Sequence, residues 1–134
     1  VKPYALPDDV IPKAGGDVNY TATPPTLTQG REPNRGFEGL AVSPDGNFAY
    51  AMLQNGAIQD GWNGGTRGVY TRILKFDTAT GALVAQYAYK LESSGQGRGI
   101  SALVALNDHE LLVLERNNRG IGVGATLLLM KLLF

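Results

Sequence analysis

Asn34-Arg-Gly-Phe-Glu-Gly-Leu-Ala-Val-Ser-Pro-Asp-Gly-Asn47, followed directly by Phe48-Ala-Tyr-Ala-Met-Leu-Gln54, decides the fold class of this chain. Two short apolar runs, Phe37 to Val42 and Phe48 to Leu53, flank Ser43-Pro-Asp-Gly-Asn47. That insert is turn chemistry, and Gly46 can take the positive φ a tight connection needs. Neither run alternates with polar residues, so both strands are expected to be covered on two faces. Arg35 and Glu38 form a charged pair at the entrance, where a core hairpin has no need of one.

Outward from this hairpin the pattern continues as strands. Gln54 to Gly68 carries five glycines and reads as a loop without elements, of a length that usually serves a function. Val69 to Asp77 reads as a third strand, Asp77-Thr-Ala-Thr-Gly81 as a turn, and Ala82 to Leu91 as a fourth strand. The fourth alternates: Leu83, Ala85, Tyr87, Tyr89 and Leu91 fall on one face, with Gln86, Lys90 and Glu92 on the other. One wet face places it at an exposed sheet edge. After the Gly-rich stretch Ser93 to Gly99 the opening shape returns. Ile100 to Leu106 matches Phe37 to Ser43, Asn107-Asp-His109 replaces Pro44-Asp-Gly46, and Leu111 to Leu114 matches Phe48 to Ala51, all at an offset of 63 residues.

A repeated four-strand meander is the unit of a β-propeller. The order buried, buried, intermediate, half wet suits a blade read from its inner strand outward. The predicted fold is therefore all-β, a fragment of a β-propeller with about one and a half four-stranded antiparallel blades. A sandwich-like pair of meanders would give a similar pattern. Propellers typically close with about 4–8 blades, so the chain is expected to be a fragment, or to be completed by other copies.

The bulk numbers exclude several classes. Twelve basic and 12 acidic residues give no net charge, which argues against recognition of nucleic acid through a strong basic field. There is no cysteine, hence no disulfide framework and no thiolate metal site. The chain opens Val1-Lys-Pro-Tyr with neither an initiator Met nor a signal peptide. The apolar run Ile121 to Phe134 is 14 residues long and contains Lys131, whereas a membrane span needs roughly 20 apolar residues. Six of the seven prolines lie within the first 33 residues, so that part is expected to be extended. Within it, Asn19-Tyr-Thr21 matches a glycosylation sequon, a triplet common by chance.

The segments Arg35-Gly-Phe-Glu-Gly-Leu40, Arg72-Ile-Leu-Lys-Phe-Asp77, Tyr87-Ala-Tyr89, Ile100 to Leu106 and Leu112-Val-Leu-Glu-Arg116 resemble the phytase-like family, described by the esterase-like activity of phytase. The resemblance covers about residues 34 to 120. It divides the chain into a Pro/Gly-rich extended segment, 1–33, a partial phytase-like propeller domain, 34–124, and an apolar tail, 125–134, that departs from the family pattern. It implies a propeller exported to the periplasm or secreted, an ester hydrolase if completed to the full domain, and a Ca²⁺ ion in the channel. Its substrate would be a small phosphate or carboxylate ester, with neither a nucleotide cofactor nor nucleic acid involved. The remaining blades are absent from this chain.

Antiparallel geometry then locates the chemistry. Strand one leaves its entrance and strand two returns to it, so Arg35 and Glu38 share a rim with the end of strand two. One repeat on, Arg98 and Ser101 share that rim with Glu115 and Arg116. Glu38 is the sharpest candidate, as a catalytic carboxylate or as an oxygen ligand to a hard cation; the plain alternative is an ion pair with Arg35 or Arg116. Glu115 is the second catalytic candidate, as ligand or general base, against a charged strand end in solvent. Arg35, Arg116 and Arg98 are the candidate substrate-binding residues, because guanidinium holds phosphate bidentately. Asp60, Arg67, Asn117, Asn118 and Arg119 are weaker rim candidates.

Other signals fail. His109 lies in a turn, roughly 25 Å along the strand from Ser101, too far for a Ser–His pair. Gly120-Ile-Gly-Val-Gly-Ala125 echoes a dinucleotide fingerprint without the helix that should follow. Trp62 reads as a loop cap. Two functions compete: a metal-assisted ester hydrolase, and a non-catalytic propeller that binds a ligand or protein through the same rim.

Overall fold

The computed structural model describes residues 3–65, 67–92, 98–117, 124 and 127–134, with backbone alone at 127 and 128. The fold is all-β, in three antiparallel sheets, none of them closed. A small sheet of order β2-β1-β3 comes from β1 (Lys13–Ala14), β2 (Asp17–Val18) and β3 (Leu27–Gln29). The four-stranded sheet runs β4 (Phe37–Val42), β5 (Phe48–Leu53), β6 (Tyr70–Asp77), β7 (Leu83–Lys90), in sequence order. The third sheet runs β8 (Arg98–Ala105), β9 (Glu110–Asn117), β10 (Leu127–Leu133). Short 3-10 turns occupy Asp8–Val10 and Ile58–Asp60.

The turns form as their residues dictate. Asp45 accepts from the Ser43 hydroxyl at 2.5 Å, from Asn47 N at 3.0 Å and from Asn47 Nδ2 at 2.6 Å, while Gly46 takes φ 77. The side chain thus supplies acceptors that the ladder cannot reach at the hairpin tip. Asp77 repeats the device, accepting from Thr80 N and Oγ1 at 2.7 Å before Gly81.

The repeat is real and finer than its sequence suggests. In β4 the register with β5 shifts between Phe37 and Gly39; in β8 the register with β9 shifts between Ile100 and Ala102. A bulge at the same place in both hairpins is a built feature. The offset is 63 along the first strand but not along the second. Val42 pairs with Ala49 and Ala105 with Leu111, so the second strand is offset by 62, because the Asn107–Asp108–His109 turn is one residue shorter.

Sheet faces decide the two cores. Tyr50, Met52 and Ile73 of the four-stranded sheet pack against Ile100, Leu103, Leu111 and Val113 of the third sheet. Each such buried side chain contributes about 1.5–3 kcal/mol. The sheets meet at Gly39, where an added Cβ would lie 3.0 Å from Leu103 Cβ and 3.2 Å from Met52 Cβ. On the opposite face Ala49, Leu53, Leu74 and Phe76 are covered by Val10 from the N-terminal segment, and Tyr4 meets Phe76 edge-on.

Four expectations change. β5 is covered on both faces, but β4 is not: Leu40 and Val42 are 74% and 56% exposed. β4 is an edge strand, and its Leu40 and Val42 side stays open among the described residues. Leu83 does not share a face with Tyr87. The register shifts between Lys75 and Phe76, so Leu83 joins Phe76 in the second core while Tyr87 packs on the first. The loop after Gln54 opens with a buried run, Gln54 to Ile58, and includes the Ile58–Asp60 turn. The leucine tail forms β10, paired with β9 at every residue from Leu127 to Leu133, so the second unit has three strands rather than two. Ser93–Gly97, Asn118, Arg119 and the Gly120–Ala125 run except Gly124 lie outside the described residues.

Candidate functional site

The rim is built where the β5–β6 ladder stops. Its last pair is Met52 with Ile73, so the carbonyls of Leu53 and Asn55 need new donors. The wholly buried Thr71 hydroxyl serves both, at 2.8 and 2.9 Å. The chain then crosses to the third sheet: Gln54 N donates to Gly36 O at 2.8 Å, and Ile100 N donates to Gln54 O at 2.9 Å. At Gly99 an added Cβ would sit 2.9 Å from Gln54 Cγ and 3.1 Å from its carbonyl oxygen, so this crossing demands glycine. Gly99 occupies the position of Gly36 in the repeat, and Arg98 that of Arg35. The repeated unit therefore begins at Arg-Gly, two residues earlier than the apolar pattern shows.

Asn55, 3% exposed, joins the two repeats. Its Oδ1 accepts from Arg35 Nη1 at 3.0 Å and its Nδ2 donates to Arg98 O at 2.6 Å. Burial, together with the charges of Arg67 and Arg116, lowers the Arg35 pKa; Glu32 acts the other way. Arg67 itself is held bidentately by Glu32, at 2.6 and 2.7 Å, and this bond raises its pKa. In register Arg116 stands opposite Gly99 and Glu115 opposite Ile100.

Glu115 is not a strand end in solvent; it is completely buried. Its carboxylate accepts from Tyr89 OH at 3.3 Å and from Glu92 N at 3.1 and 3.2 Å. Arg98 Nη1 stands 3.8 Å away, buried and without a hydrogen-bond partner. Burial first, then the Glu115 charge, pushes the Tyr89 hydroxyl up to about 12. The arrangement joins β9 of one sheet to the end of β7 in the other.

Glu38 lies elsewhere. It sits on the β4 bulge, exposed, and makes no hydrogen bond or ion pair with another described residue. It lines a cleft of about 340 Å³ under the N-terminal segment, with Leu6, Val10, Tyr20, Arg31 and Phe37. Ser101, its counterpart on the β8 bulge, has a buried hydroxyl without a partner. The structure thus brings Arg35, Arg98, Glu115 and Arg116 to one junction and turns Glu38 toward a separate cleft. Among the described residues no three His, Cys, Asp or Glu side chains gather as a metal site. Ca²⁺ takes about six to eight oxygens, and one enclosed carboxylate plus one in another cleft do not make that set.

The weaker candidates have structural partners. Asp60 binds Arg72 through both oxygens, at 2.6 and 2.7 Å, and Asp9 binds the same guanidinium. Arg67 lies over Trp62 at 5.9 Å, and Asn117 Nδ2 donates to Gly124 O at 2.7 Å. His109 pairs with Asp108 in its turn at 2.6 Å. Sequence reasoning missed Asn55, Tyr89 and Glu32; the Arg-Gly doublets at 35–36 and 98–99 were the signal that could have led to Asn55.

Among the described residues no helix is long and apolar enough to cross a membrane. The chain matches the family Phytase-like, described as "Esterase-like activity of phytase", over residues 1–133. That match extends beyond 34–120 at both ends and takes in the proline-rich segment and the leucine strand. The chain is also similar to an "Uncharacterized secreted protein" of Arthroderma benhamiae, 31% identical over 83 residues, covering 53% of this chain and 16% of the relative. The matched part is thus a small fraction of that relative's length. No solved structure matches.

Proposed function

Because the chain belongs to the phytase-like family, we propose that it is part of an exported hydrolase of phosphate or carboxylate esters, which receives the anionic group of its substrate at the Arg35–Asn55–Arg98 junction. The observation that carries this reading is Arg35. Its guanidinium is partly buried, feels the charges of Arg67 and Arg116, and among the described residues donates its hydrogen bond to the neutral Asn55. An oxyanion held there relieves the repulsion and takes the remaining donors in bidentate geometry. Arg98 Nη1, buried and lacking a hydrogen bond, adds a second donor from the next repeat.

Glu38 opens on the separate cleft under the N-terminal segment, so no proton transfer at the junction is assigned to it. Glu115 acts as a positioning residue through Arg98. A Ca²⁺ ion would need ligands beyond those that the described residues offer. A propeller fragment is the reading of the fold supported by the repeated bulge and the face-to-face sheets. Export is supported by the secreted fungal relative.

The test uses the full-length protein on a phosphomonoester and a short-chain carboxylate ester, with and without chelator. Arg35→Ala is expected to raise KM by about tenfold or more, the loss of one charged hydrogen bond. Glu38→Gln, in the separate cleft, is expected to leave kcat unchanged. Turnover of neither ester by the intact protein overturns the hydrolase reading. The second reading, a non-catalytic binding module, is favoured by the structural engagement of Glu115; inorganic phosphate binding at Arg35 without turnover would support it.

A further inference from the structure

We propose that Asn19 is the acceptor for an N-linked glycan. Asn19-Tyr-Thr21 is the one Asn-X-Ser/Thr triplet in the sequence, and its middle residue is not proline. Sequence alone gives such a triplet little meaning. The geometry gives it more. Asn19 follows directly on β2, whose residues Asp17 and Val18 are exposed, and Tyr20 is 60% exposed. The Asn19 carboxamide oxygen accepts three hydrogen bonds: from Thr21 N at 3.0 Å, from Thr21 Oγ1 at 3.0 Å and from Ala22 N at 2.8 Å. All three draw electron density toward the oxygen and make the amide nitrogen more acidic. That nitrogen, Nδ2, makes no hydrogen bond with another described residue.

The sequon threonine is therefore already bonded to the asparagine it serves. The surroundings favour a sugar as well. Tyr20 and Leu6, 60% and 45% exposed, line the cleft under the N-terminal segment, and Val18 beside them is 55% exposed. A bulky polar glycan shields such an apolar surface. The co-reactant is an oligosaccharide linked through pyrophosphate to a lipid. The bond from Asn19 Nδ2 to the anomeric carbon forms, and the bond from that carbon to the pyrophosphate oxygen breaks. The lipid pyrophosphate leaves with the electron pair, and Nδ2 loses one proton to the transferase base. The inference rests on the export proposed above and not on the ester chemistry, so ester turnover and glycan occupancy fail separately.

The experiment translates the full chain behind a cleavable leader into microsomes and secretes it from yeast. Gel mobility and peptide mass are read before and after treatment with a peptide N-glycanase. The expected result is a single oligosaccharide on Asn19, removed by the enzyme, absent from Thr21→Ala and retained at reduced occupancy in Thr21→Ser. Asn19→Asp keeps an oxygen for the three donors and preserves the turn, so it must lose the sugar without losing the fold. Unmodified Asn19 in the secreted chain, or a shift that survives in Asn19→Asp, overturns the assignment.

Discussion

Asn55 accepts a hydrogen bond from Arg35 at 3.0 Å while its amide nitrogen binds the carbonyl of Arg98, the residue equivalent to Arg35 in the second repeat. One buried carboxamide thus spans two copies of the same Arg-Gly corner. Asn55→Ala leaves the Arg98 carbonyl and one Arg35 donor without partners. The expected loss of stability is about 1–3 kcal/mol, read as a lower urea midpoint at unchanged slope. A neutral result would mean that water replaces the amide.

Glu115 tests the division between chemistry and architecture. Glu115→Ala strands the Glu92 amide, the Tyr89 hydroxyl and the Arg98 charge in a buried place. A loss of about 3 kcal/mol or more is expected, while Glu115→Gln, which keeps an acceptor, loses less. Hydrolysis abolished in a Glu115→Gln protein of full stability would instead put Glu115 among the reacting groups.

Gly39 is where the sheets touch. Gly39→Ala places a methyl 3.0 Å from Leu103 Cβ and 3.2 Å from Met52 Cβ, neither of which is the end of a flexible chain. The sheets must separate slightly, at a cost of about 1–3 kcal/mol. Thermal unfolding of this variant beside Gly46→Ala, which meets no atom within 4 Å but is strained at φ 77, separates crowding from backbone strain.

Two tyrosines predict an alkaline limit. Burial, with nearby anionic groups, pushes the hydroxyls of Tyr50 and Tyr89 up to about 12, against 10.0 for a free phenol. Above pH 10 the unfolded chain releases phenolic protons that the folded chain keeps. Stability from these groups is therefore full below about 10 and is lost as pH rises toward 12. Tyrosinate absorbance should rise together with unfolding in that window; early titration of both groups in the folded protein would contradict it.

Exposed apolar residues on the outer sides of the sheets predict association. Leu40 at 74% exposure and Val104 at 54% lie on opposite outer faces of the paired sheets. The 134-residue chain alone is expected to self-associate in sedimentation velocity. Leu40→Lys combined with Val104→Lys should shift it toward monomer.

Much of the fold was legible in the sequence because strands announce themselves locally. The apolar runs at 37–42 and 48–53, the Asp-centred turns and the echo at Ile100 placed six of the ten strands, β4 to β9, and the all-β class. Turn chemistry and side-chain alternation act within a few residues, so no distant partner is needed to read them. The rim position of Arg35, Arg98, Glu115 and Arg116 was legible too, since antiparallel pairing brings a hairpin's two ends together.

Tertiary structure decided what each of those side chains faces. A bulge in β4 turned Glu38 toward a separate cleft, and one in β7 turned Leu83 away from Tyr87. A turn shortened by one residue moved the second strand from an offset of 63 to one of 62, so that Glu115 took the place of Leu53 and pointed into the core. A single residue gained or lost in a strand reverses the face of everything beyond it. By itself the sequence determined that strands pair and where charges gather; only the packed sheets decided that Glu115 is enclosed and that Asn55 ties the two arginine corners together.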